Sequence, residues 1–550
     1  MNILRKASLW IENDPVAITR LEMRRLLAES EKTGDVRELE ERLSKTLEFG
    51  TAGLRAPQGA GFNRVNAVVT AQAANALSQF LLEENRGRTL VIGYDGRYNS
   101  QLWARNTARI ASSYDITALI MPRALPTPLL AFAVRQLGAA AGVMVTASHN
   151  PREYNGYKVY LGGEDKGAQI PDTAAAKIAK NLRDEVAYSD IPMKDSYGIL
   201  DEEIIEAYLS RTAKAIKRQF GSPKADLKIC HTAMHGVGHE IFVRLMEKLG
   251  FHNLVFVEEQ KMPDPAFPTL PFPNPEEKGA LDLAFETARL AECDIIIAND
   301  PDADRVAVAH PDGKVFTGNE IGALLGVEIA RMQRGHGVLS NSMVSSPIMR
   351  RIAESYGMQH VETPTGFKWV ARVPDICFGF EEALGYMIHP ELVRDKDGLS
   401  AGAAIATIAA SQKAQGRSLR DCLDDLQSKL GYFRSTQYAV RMASLDSVQA
   451  VMQNLRAESL NKIGRFRVTK YRDLLFGSPP VDLLEFNLGQ DIDDLFGRLI
   501  VRPSGTELKL KCYIDSVAKT PDGAEQLLSE LTYACKNLLC ETSRRGGAEN

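Results

Sequence analysis

The sequence of 550 residues lacks several features that mark large classes of proteins. Cysteines are few, seven in all, and none form a C-x-x-C pair, which argues against a disulfide scaffold or a cysteine zinc site and favours a reducing compartment. No run approaches the ~18 apolar residues of a membrane span. Charges interrupt the N-terminus within a few residues, so we expect no signal peptide. We predict a soluble, cytoplasmic protein.

An excess of charge of one sign is also missing. The chain has 66 Lys and Arg against 70 Asp and Glu, a net charge of −4, so neither nucleic acid nor an anionic membrane is expected as a partner. No GxxxxGK[ST] string and no GxGxxG after a strand occurs, which leaves nucleotide-driven chemistry without support. Apolar residues make up 44% and charged residues 25%, as in ordinary globular proteins. The length predicts roughly three to five domains.

Strands and helices alternate along most of the chain. An apolar run at 89–97 leads into a helical stretch at 100–114, and the same theme recurs at 226–250 and 337–357. This alternation predicts an α/β fold with βαβ units and parallel sheets, in which ligands bind beyond the carboxyl ends of the strands. Chemistry is therefore expected in the loops that follow apolar strands.

These loops divide the chain into units. Leucines at three- and four-residue spacing near the N-terminus predict a helical arm. Beyond the arm we expect three α/β units and a smaller C-terminal unit, each contributing one loop. The predicted boundaries are 1–48 for the arm and 49–205, 206–318, 319–440 and 441–550 for units I to IV.

The loop of unit II carries alternating carboxylates at Asp300, Asp302 and Asp304. Two-residue spacing in an extended chain points side chains to one side, where three carboxylates repel one another unless a dication lies between them. Oxygen ligands of this kind suit Mg²⁺. A calcium-binding EF-hand is excluded, because its sixth position would be Arg305 and its twelfth Pro311. A solvated acidic turn is the alternative.

Ser148 lies at a strand-to-loop transition in the string TASHN and is a candidate nucleophile, with an ordinary turn serine as the alternative. The string is not G-x-S-x-G, so the α/β-hydrolase elbow is excluded. Lys158 follows ten residues later and is either a proton-transfer or charge-neutralising group or a surface lysine.

Two loops offer groups for a ligand. The string RPSGTELK predicts an anion nest, or else a simple β-turn, from Arg502, Ser504, Gly505 and Thr506. The string FEEALGY supplies paired carboxylates at Glu381 and Glu382, which suit sugar hydroxyls or the start of a helix.

Together, TASHNPREYNGYK, NDPDADR, FEEALGY and RPSGTELK resemble the α-D-phosphohexomutase superfamily of phosphoglucomutases, phosphomannomutases and phosphopentomutases. Their order and spacing match over about residues 45–515. FEEALGY and FGTAGLR are most similar to the branch of phosphoglucomutase-2 and phosphopentomutase. The resemblance implies three similar α/β domains with mixed or parallel sheets and a smaller α+β lid domain at the C-terminus, arranged around a central cleft.

The resemblance also implies roles for individual residues. Ser148 would be phosphorylated in the active enzyme and, with the three aspartates, would hold Mg²⁺. Residues implied to serve the transfer are Arg55, His149, Lys158, Arg305 and, as a further acid/base candidate, Lys396. Residues implied to bind the substrate are Lys368, Glu381, Arg502, Ser504, Gly505 and Thr506.

The implied reaction interconverts a sugar 1-phosphate, glucose first, with its 6- or 5-phosphate through a sugar bisphosphate that is also the activator. Ala383 stands where many glucose-handling relatives have Ser, which leaves room for pentoses, and Leu508 stands where many have Pro. A phosphomannomutase, a phosphopentomutase, a metal-dependent phosphatase and a non-catalytic phosphosugar-binding protein remain alternatives. The expected partner is a small phosphosugar, bound by a monomer or homodimer.

Overall fold

The structure, a computed structural model, describes residues 2–47, 53–182, 187–458, 460–489, 496–504 and 508–545. The strands in these ranges form four sheets that follow one another along the chain. In the same ranges, no helix is long and apolar enough to cross a membrane.

The N-terminal arm is helical and packs on unit I. Its helices are α1 Ile3–Asn13, α2 Ala17–Thr33 and α3 Arg37–Leu43. Trp10 meets the ring of Phe62 edge-on, with the ring centroids 4.8 Å apart. Val68 and Val69 of unit I belong to the same buried cluster. The arm therefore covers one face of unit I.

Unit I is built around a mixed sheet. Its elements are β1 Leu54–Pro57, α4 Ala67–Glu83, β2 Thr89–Tyr94, α5 Ser100–Ser113, β3 Thr117–Ile120, α6 Thr127–Gln136, β4 Ala141–Val145, β5 Tyr154–Leu161, β6 Ala168–Gln169, α7 Asp172–Asn181 and β7 Gly198–Ile199. The strand order is β1-β5-β4-β2-β3-β7, with β6 beside β5. The strands β4, β2, β3 and β7 are parallel, whereas β5 runs antiparallel to β4 and β1.

Units II and III repeat this plan. The elements of unit II are α8 Glu203–Phe220, β8 Ile229–Thr232, α9 His239–Leu249, β9 Leu254–Phe256, α10 Asp282–Leu290, β10 Ile295–Asn299, β11 Val306–Ala309 and β12 Val315–Phe316. Those of unit III are α11 Gly318–Gln333, β13 Val338–Ser342, α12 Ile348–Ser355, β14 Gln359–Thr363, α13 Phe367–Val370, β15 Ile376–Glu381, β16 Gly385–Met387, α14 Gly398–Lys413 and α15 Leu419–Leu430. The strand orders are β12-β11-β10-β8-β9 and β14-β13-β15-β16. The helices predicted after apolar runs are confirmed as α5, α9 and α12.

Unit IV has a different sheet, in which every pair is antiparallel. Its elements are β17 Tyr432–Arg441, α16 Leu445–Ala457, β18 Lys462–Ile463, β19 Phe466–Asp473, β20 Leu484–Leu488, β21 Phe496–Pro503, β22 Lys509–Ala518 and α17 Pro521–Arg545. The strand order is β17-β22-β21-β20-β19-β18. Because β17 pairs with β22 along its whole length, we place the start of this unit at 432, ahead of the expected 441.

A continuous apolar core joins units I, II and III. It includes Leu130 of α6, Phe242 of α9 and Phe380 of β15, all buried. Unit IV adds only a few residues to this core and builds most of its own separately. Burial of shared apolar surface fixes the first three units against one another.

Candidate active site

The four predicted loops occupy equivalent places in the fold. In units I to III each loop connects the strand at one edge of the parallel set to the antiparallel strand beside it. In unit IV the loop connects two antiparallel strands. The four connections are β4–β5, β10–β11, β15–β16 and β21–β22. A short connection of this kind holds its side chains at the end of the sheet, where ligands bind in α/β folds.

Ser148 is buried and points at the acidic loop of unit II. Its hydroxyl donates to Asp300 Oδ2 over 2.9 Å, and only 1% of the residue is exposed. Its φ of 55° lies in the left-handed region, which costs a non-glycine residue conformational energy. The N–H of Ser148 donates to Thr146 Oγ1 at 2.9 Å, which stabilises the turn. Strain of this kind at a buried nucleophile candidate is typical of functional loops.

Arg97 holds the serine loop in place. Its guanidinium donates to main-chain carbonyls of the loop, those of Ser148 at 2.5 Å, Asn150 at 2.6 Å, Pro151 at 2.8 Å and Tyr154 at 3.1 Å. Asp95 lies 3.3 Å from Arg97 and also accepts from Thr146 Oγ1 at 2.7 Å. Arg97 is not among the site residues predicted from the sequence. The polar string GYDGR, which follows the apolar part of β2, could have indicated it.

The three aspartates converge with Lys158 between them. The Lys158 ammonium lies 2.6 Å from Asp302 Oδ2 and 2.8 Å from Asp304 Oδ2. One carboxylate oxygen from each aspartate lies within 4.8 Å of the others. The second oxygens, Oδ1 of Asp302 and of Asp304, are buried and have no hydrogen-bond partner in the described part of the chain. Three carboxylates this close together, with two buried oxygens left unsatisfied, fit a hard dication such as Mg²⁺.

The aspartates differ in the direction of their pKa shifts. Burial, reinforced by the charges of Asp302 and Asp304, raises the pKa of Asp300 well above its ordinary value. For Asp302, burial favours a higher pKa, but the charge and hydrogen bond of the nearby Lys158 ammonium together have the larger effect. The pKa of Asp302 is therefore lowered from its ordinary value. Three buried carboxylates so close together repel one another, and added positive charge would favour the ionised form of Asp300.

His149 lies beside the serine. Its Nδ1 is 3.3 Å from Ser148 Oγ, and its ring stacks on Phe272 at 6.2 Å between centroids. Burial, together with the charges of Arg305 and Arg55, lowers the pKa of His149 well below its ordinary value. The imidazole is therefore neutral at pH 7, and its surroundings disfavour the protonated form.

Three further cations surround the aspartates. Arg55 of β1 pairs with Gly156 of β5. Burial lowers the pKa of the Arg55 guanidinium, whereas the charges of the three aspartates oppose this shift. Arg305 Nε lies 3.9 Å from Asp304 Oδ1, and Lys396 Nζ lies 3.3 Å from Asp304 Oδ2. Burial favours a lower pKa for Lys396, but the charges of the nearby carboxylates, Asp304 foremost, outweigh burial and raise the pKa above its ordinary value. This lysine therefore stays positively charged.

Glu276 reaches the site from the proline-rich stretch 264–277 of unit II. Its Oε2 lies 3.6 Å from Arg305 Nη1. The only sequence signal for Glu276 was the proline-rich composition of its loop.

The FEEALGY loop of unit III approaches the same place. Arg305 forms a β-bridge to Gly385, which joins the ends of the acidic loop and the FEEALGY loop. Glu381 Oε1 accepts from the N–H of Gly366 at 2.7 Å. Burial and the neighbouring charge of Glu382 raise the pKa of Glu381. The arrangement places one carboxylate close to the cations of unit II.

Lys368 has a partner that the sequence did not predict. Its ammonium forms an ion pair with Asp172, at the start of α7 in unit I. The side chain is buried, so this contact ties unit III to unit I. A role for Lys368 in discriminating the sugar stays a prediction.

The phosphate loop of unit IV is described in part. Arg502 Nη1 donates to Thr365 Oγ1 at 2.9 Å, next to the Gly366 that contacts Glu381. The N–H of Ser504 donates to the carbonyl of Lys509 at 2.8 Å. Gly505 and Thr506 lie outside the described residues. Arg502 thus contacts unit III next to the residue that binds Glu381.

Comparison with known protein families matches three consecutive domains of one enzyme type. Residues 46–189 match phosphoglucomutase/phosphomannomutase alpha/beta/alpha domain I, residues 206–313 match domain II, and residues 317–430 match domain III. The chain belongs to the α-D-phosphohexomutase superfamily. Members of this superfamily are sugar-phosphate mutases, which are enzymes of the isomerase type.

Relatives of this phosphohexomutase have several substrates in their names. A protein of Haemophilus influenzae named "Probable phosphomannomutase" is 43% identical over 86% of this chain and 98% of its own length. A "Probable phosphoribomutase" of Schizosaccharomyces pombe is 32% identical over 96% of each chain. A phosphoglucomutase of Staphylococcus aureus is 32% identical over 89% of this chain and 93% of its own.

Solved structures share the architecture of this phosphohexomutase. A phosphoglucomutase/phosphomannomutase family protein of Burkholderia thailandensis superposes with a TM-score of 0.70 at 19% identity, over 91% of this chain and 98% of the other. The phosphoglucomutase parafusin of Paramecium, in an open form, also gives 0.70, at 18% identity over 91% and 96%. The expected architecture, three α/β domains and a C-terminal domain with an antiparallel sheet, is confirmed.

Proposed function

We propose that the chain interconverts a sugar 1-phosphate and the corresponding 6- or 5-phosphate by way of a phosphoserine at position 148. The observation that carries this proposal is the 2.9 Å contact between Ser148 Oγ and Asp300, inside a buried trio of aspartates ringed by cations. A hydroxyl in this position can carry a phosphoryl group whose oxygens complete the cation site, together with Asp300, Asp302 and Asp304.

The reaction consists of two mirrored transfers. A sugar hydroxyl attacks the phosphorus of phosphoserine 148, so that the new sugar O–P bond forms as the bond to Ser148 Oγ breaks. Neutral His149, whose Nδ1 lies 3.3 Å from Ser148 Oγ, passes the hydroxyl proton on to the departing serine oxygen. The resulting sugar bisphosphate turns around in the cleft. Its other phosphate is then transferred to Ser148, His149 passes the proton of the attacking serine hydroxyl to the departing sugar oxygen, and the isomeric monophosphate leaves.

The charges of the chain suit this chemistry. A phosphoserine adds a charge of about −2 to the trio of aspartates. Bound Mg²⁺ would supply positive charge at the phosphoryl oxygens. Lys158, Arg55 and Arg305 hold the transferring group in line, since phosphoryl transfer depends on positioning and electrostatic stabilisation. Glu381 accepts hydrogen bonds from sugar hydroxyls, and Arg502 binds the phosphate that is not reacting.

Glucose 1-phosphate is the proposed first substrate, with glucose 1,6-bisphosphate as activator. Mannose 1-phosphate is the second candidate, supported by the 43% identical relative named as a phosphomannomutase. Ala383 also supports a relaxed preference, because it offers no hydroxyl to the sugar at that place.

A substrate panel tests the proposal. The full chain with Mg²⁺ and a trace of glucose 1,6-bisphosphate is offered the 1-phosphates of glucose, mannose, ribose and deoxyribose, and both isomerised sugar and free phosphate are measured. We expect isomerisation of a hexose phosphate to exceed phosphate release. Phosphate release that outpaces isomerisation would identify a phosphatase instead.

Ser148→Ala tests the nucleophile in the same preparation. We expect intact-mass analysis to find one phosphate on the native chain and none on the variant, with turnover almost abolished because the acceptor oxygen is gone. Ser78→Ala is the matched control, since Ser78 is equally buried and its hydroxyl donates only to the Ala74 carbonyl within α4. Normal turnover in Ser148→Ala would refute the assignment.

A further inference from the structure

Thr127 of unit I touches the acidic loop of unit II. Its hydroxyl donates to Asp302 Oδ2 over 2.5 Å, and its N–H donates to the carbonyl of Asp302 over 2.9 Å. Neither residue is exposed to solvent. Two hydrogen bonds from one residue fix both the backbone and the side chain of Asp302.

The surrounding chain holds Thr127 rigidly. It lies between Pro126 and Pro128 at the first turn of α6, and the N–H of Leu125 donates to the carbonyl of Tyr94 at 3.0 Å. Each proline ring fixes its own φ and restricts the residue before it. The start of a helix also favours a nearby negative charge. The hydroxyl therefore meets Asp302 from a preset position.

The contact determines which oxygen of Asp302 stays available. Thr127 and Lys158 both bind Oδ2, at 2.5 and 2.6 Å. Oδ1 is buried and has no hydrogen-bond partner among the described residues. Two donors on one oxygen hold the carboxylate against rotation and leave Oδ1 available to a further ligand.

We propose that Thr127 is a positioning residue for the cation site, which it serves by holding the carboxylate of Asp302 across the junction of units I and II. The inference rests on the proposed function, because it takes the aspartate trio as the site of Mg²⁺. Partners that orient metal ligands typically contribute 10- to 100-fold to metal affinity. Thr127 contacts neither substrate nor cation in this role.

Mg²⁺ titration calorimetry of the full chain tests the inference, with Thr127→Val as the main variant. Valine keeps the shape and removes the hydroxyl, so we expect Mg²⁺ affinity to fall by about 10- to 100-fold. Turnover of Thr127→Val is expected to recover most of its loss at saturating Mg²⁺. Thr127→Ser restores the hydroxyl and is expected to bind Mg²⁺ within about threefold of the native chain.

Thr407→Val is the matched control, because Thr407 is fully buried and its hydroxyl donates only to the Ala403 carbonyl within α14. We expect both valine variants to lose similar thermal stability without metal, and only Thr127→Val to lose Mg²⁺ affinity. Native affinity in a folded Thr127→Val, or equal weakening in Thr127→Ser, would overturn the inference.

The outcomes also separate this inference from the proposed function. If the substrate panel finds no mutase activity but Thr127→Val still weakens Mg²⁺ binding, the function fails and the positioning role stands. If the native chain isomerises sugar phosphates without binding Mg²⁺ at all, the positioning role fails and the mutase assignment stands.

Discussion

The two ends of the cleft differ in how completely the chain builds them. At the serine end, Ser148, Lys158 and the aspartates are at most 1% exposed and bind one another directly. At the phosphate end, Arg502 is half-buried and its described side-chain contacts are to Thr365 and to the carbonyl of Pro503. Buried charges must be paired and oriented by the fold itself. A half-buried guanidinium remains partly hydrated and does not need a charged partner within the protein.

The way the units join explains this difference. Units I, II and III share one apolar core, and the serine end lies where units I and II meet. Unit IV contacts unit III through the buried Arg498, which donates to the carbonyls of Met343 at 3.1 Å and Ser345. The serine end is therefore enclosed by a shared core, whereas the Arg502 end depends on the contact between units III and IV.

The largest expected effect comes from breaking the serine end with Arg97→Met. Asp95 would keep a buried charge without its cation, which costs about 3–5 kcal/mol of the free energy of unfolding. The serine loop would also lose its carbonyl contacts, and we expect turnover to fall at least about 100-fold as Ser148 shifts. Urea unfolding and steady-state kinetics measure the two losses.

Arg152→Met is the control for that experiment. Arg152 belongs to the same loop, but its side chain is 63% exposed and pairs with the exposed Glu153. We expect its unfolding free energy to stay within about 0.5 kcal/mol of the native value. Equal stability of Arg97→Met and Arg152→Met would remove the argument that the fold itself pairs and orients the buried charges of the serine end.

A smaller effect is expected at the other end from Arg502→Ala. Loss of a charge-assisted contact to phosphate, worth about 1.5–3 kcal/mol, raises the KM for the sugar phosphate about 10- to 100-fold with a smaller change in kcat. Stability is expected to change little, because the side chain is only half-buried. Arg465→Ala, which removes a 71% exposed arginine of the same unit, should leave KM unchanged. An unaltered KM in Arg502→Ala would contradict the proposed phosphate grip.

The smallest effect is expected from Glu276→Gln, between the two ends. The amide keeps the shape but loses the charge that faces Arg305 at 3.6 Å. Because the Glu276 side chain is 42% exposed, solvent screens the pair, and we expect kcat/KM to fall only about two- to fivefold. Glu277→Gln alters the adjacent exposed glutamate and should have no effect. Equal activity losses in both variants would show that activity depends on the overall charge of this loop rather than on the contact of Glu276 with Arg305.

Much of the site was predictable because its residues belong to short strings. Asp300, Asp302 and Asp304 share one loop, and Ser148 and His149 are neighbours, so their chemistry is visible without a fold. Lys368 shows the limit of such reasoning. It lies in a recognisable string, yet its ion pair is with Asp172, nearly two hundred residues away. Its partner depends on how unit III packs against unit I.

The sequence by itself determined the order of strands and helices, the loops that carry chemistry and the kinds of side chain in them, because local propensity and spacing act over a few residues. Only the tertiary structure decided that Arg97 holds the serine loop, that Thr127 orients Asp302 and that Glu276 faces Arg305. Each of these contacts joins residues distant in the chain, and such contacts follow from the burial of a shared core rather than from any local pattern.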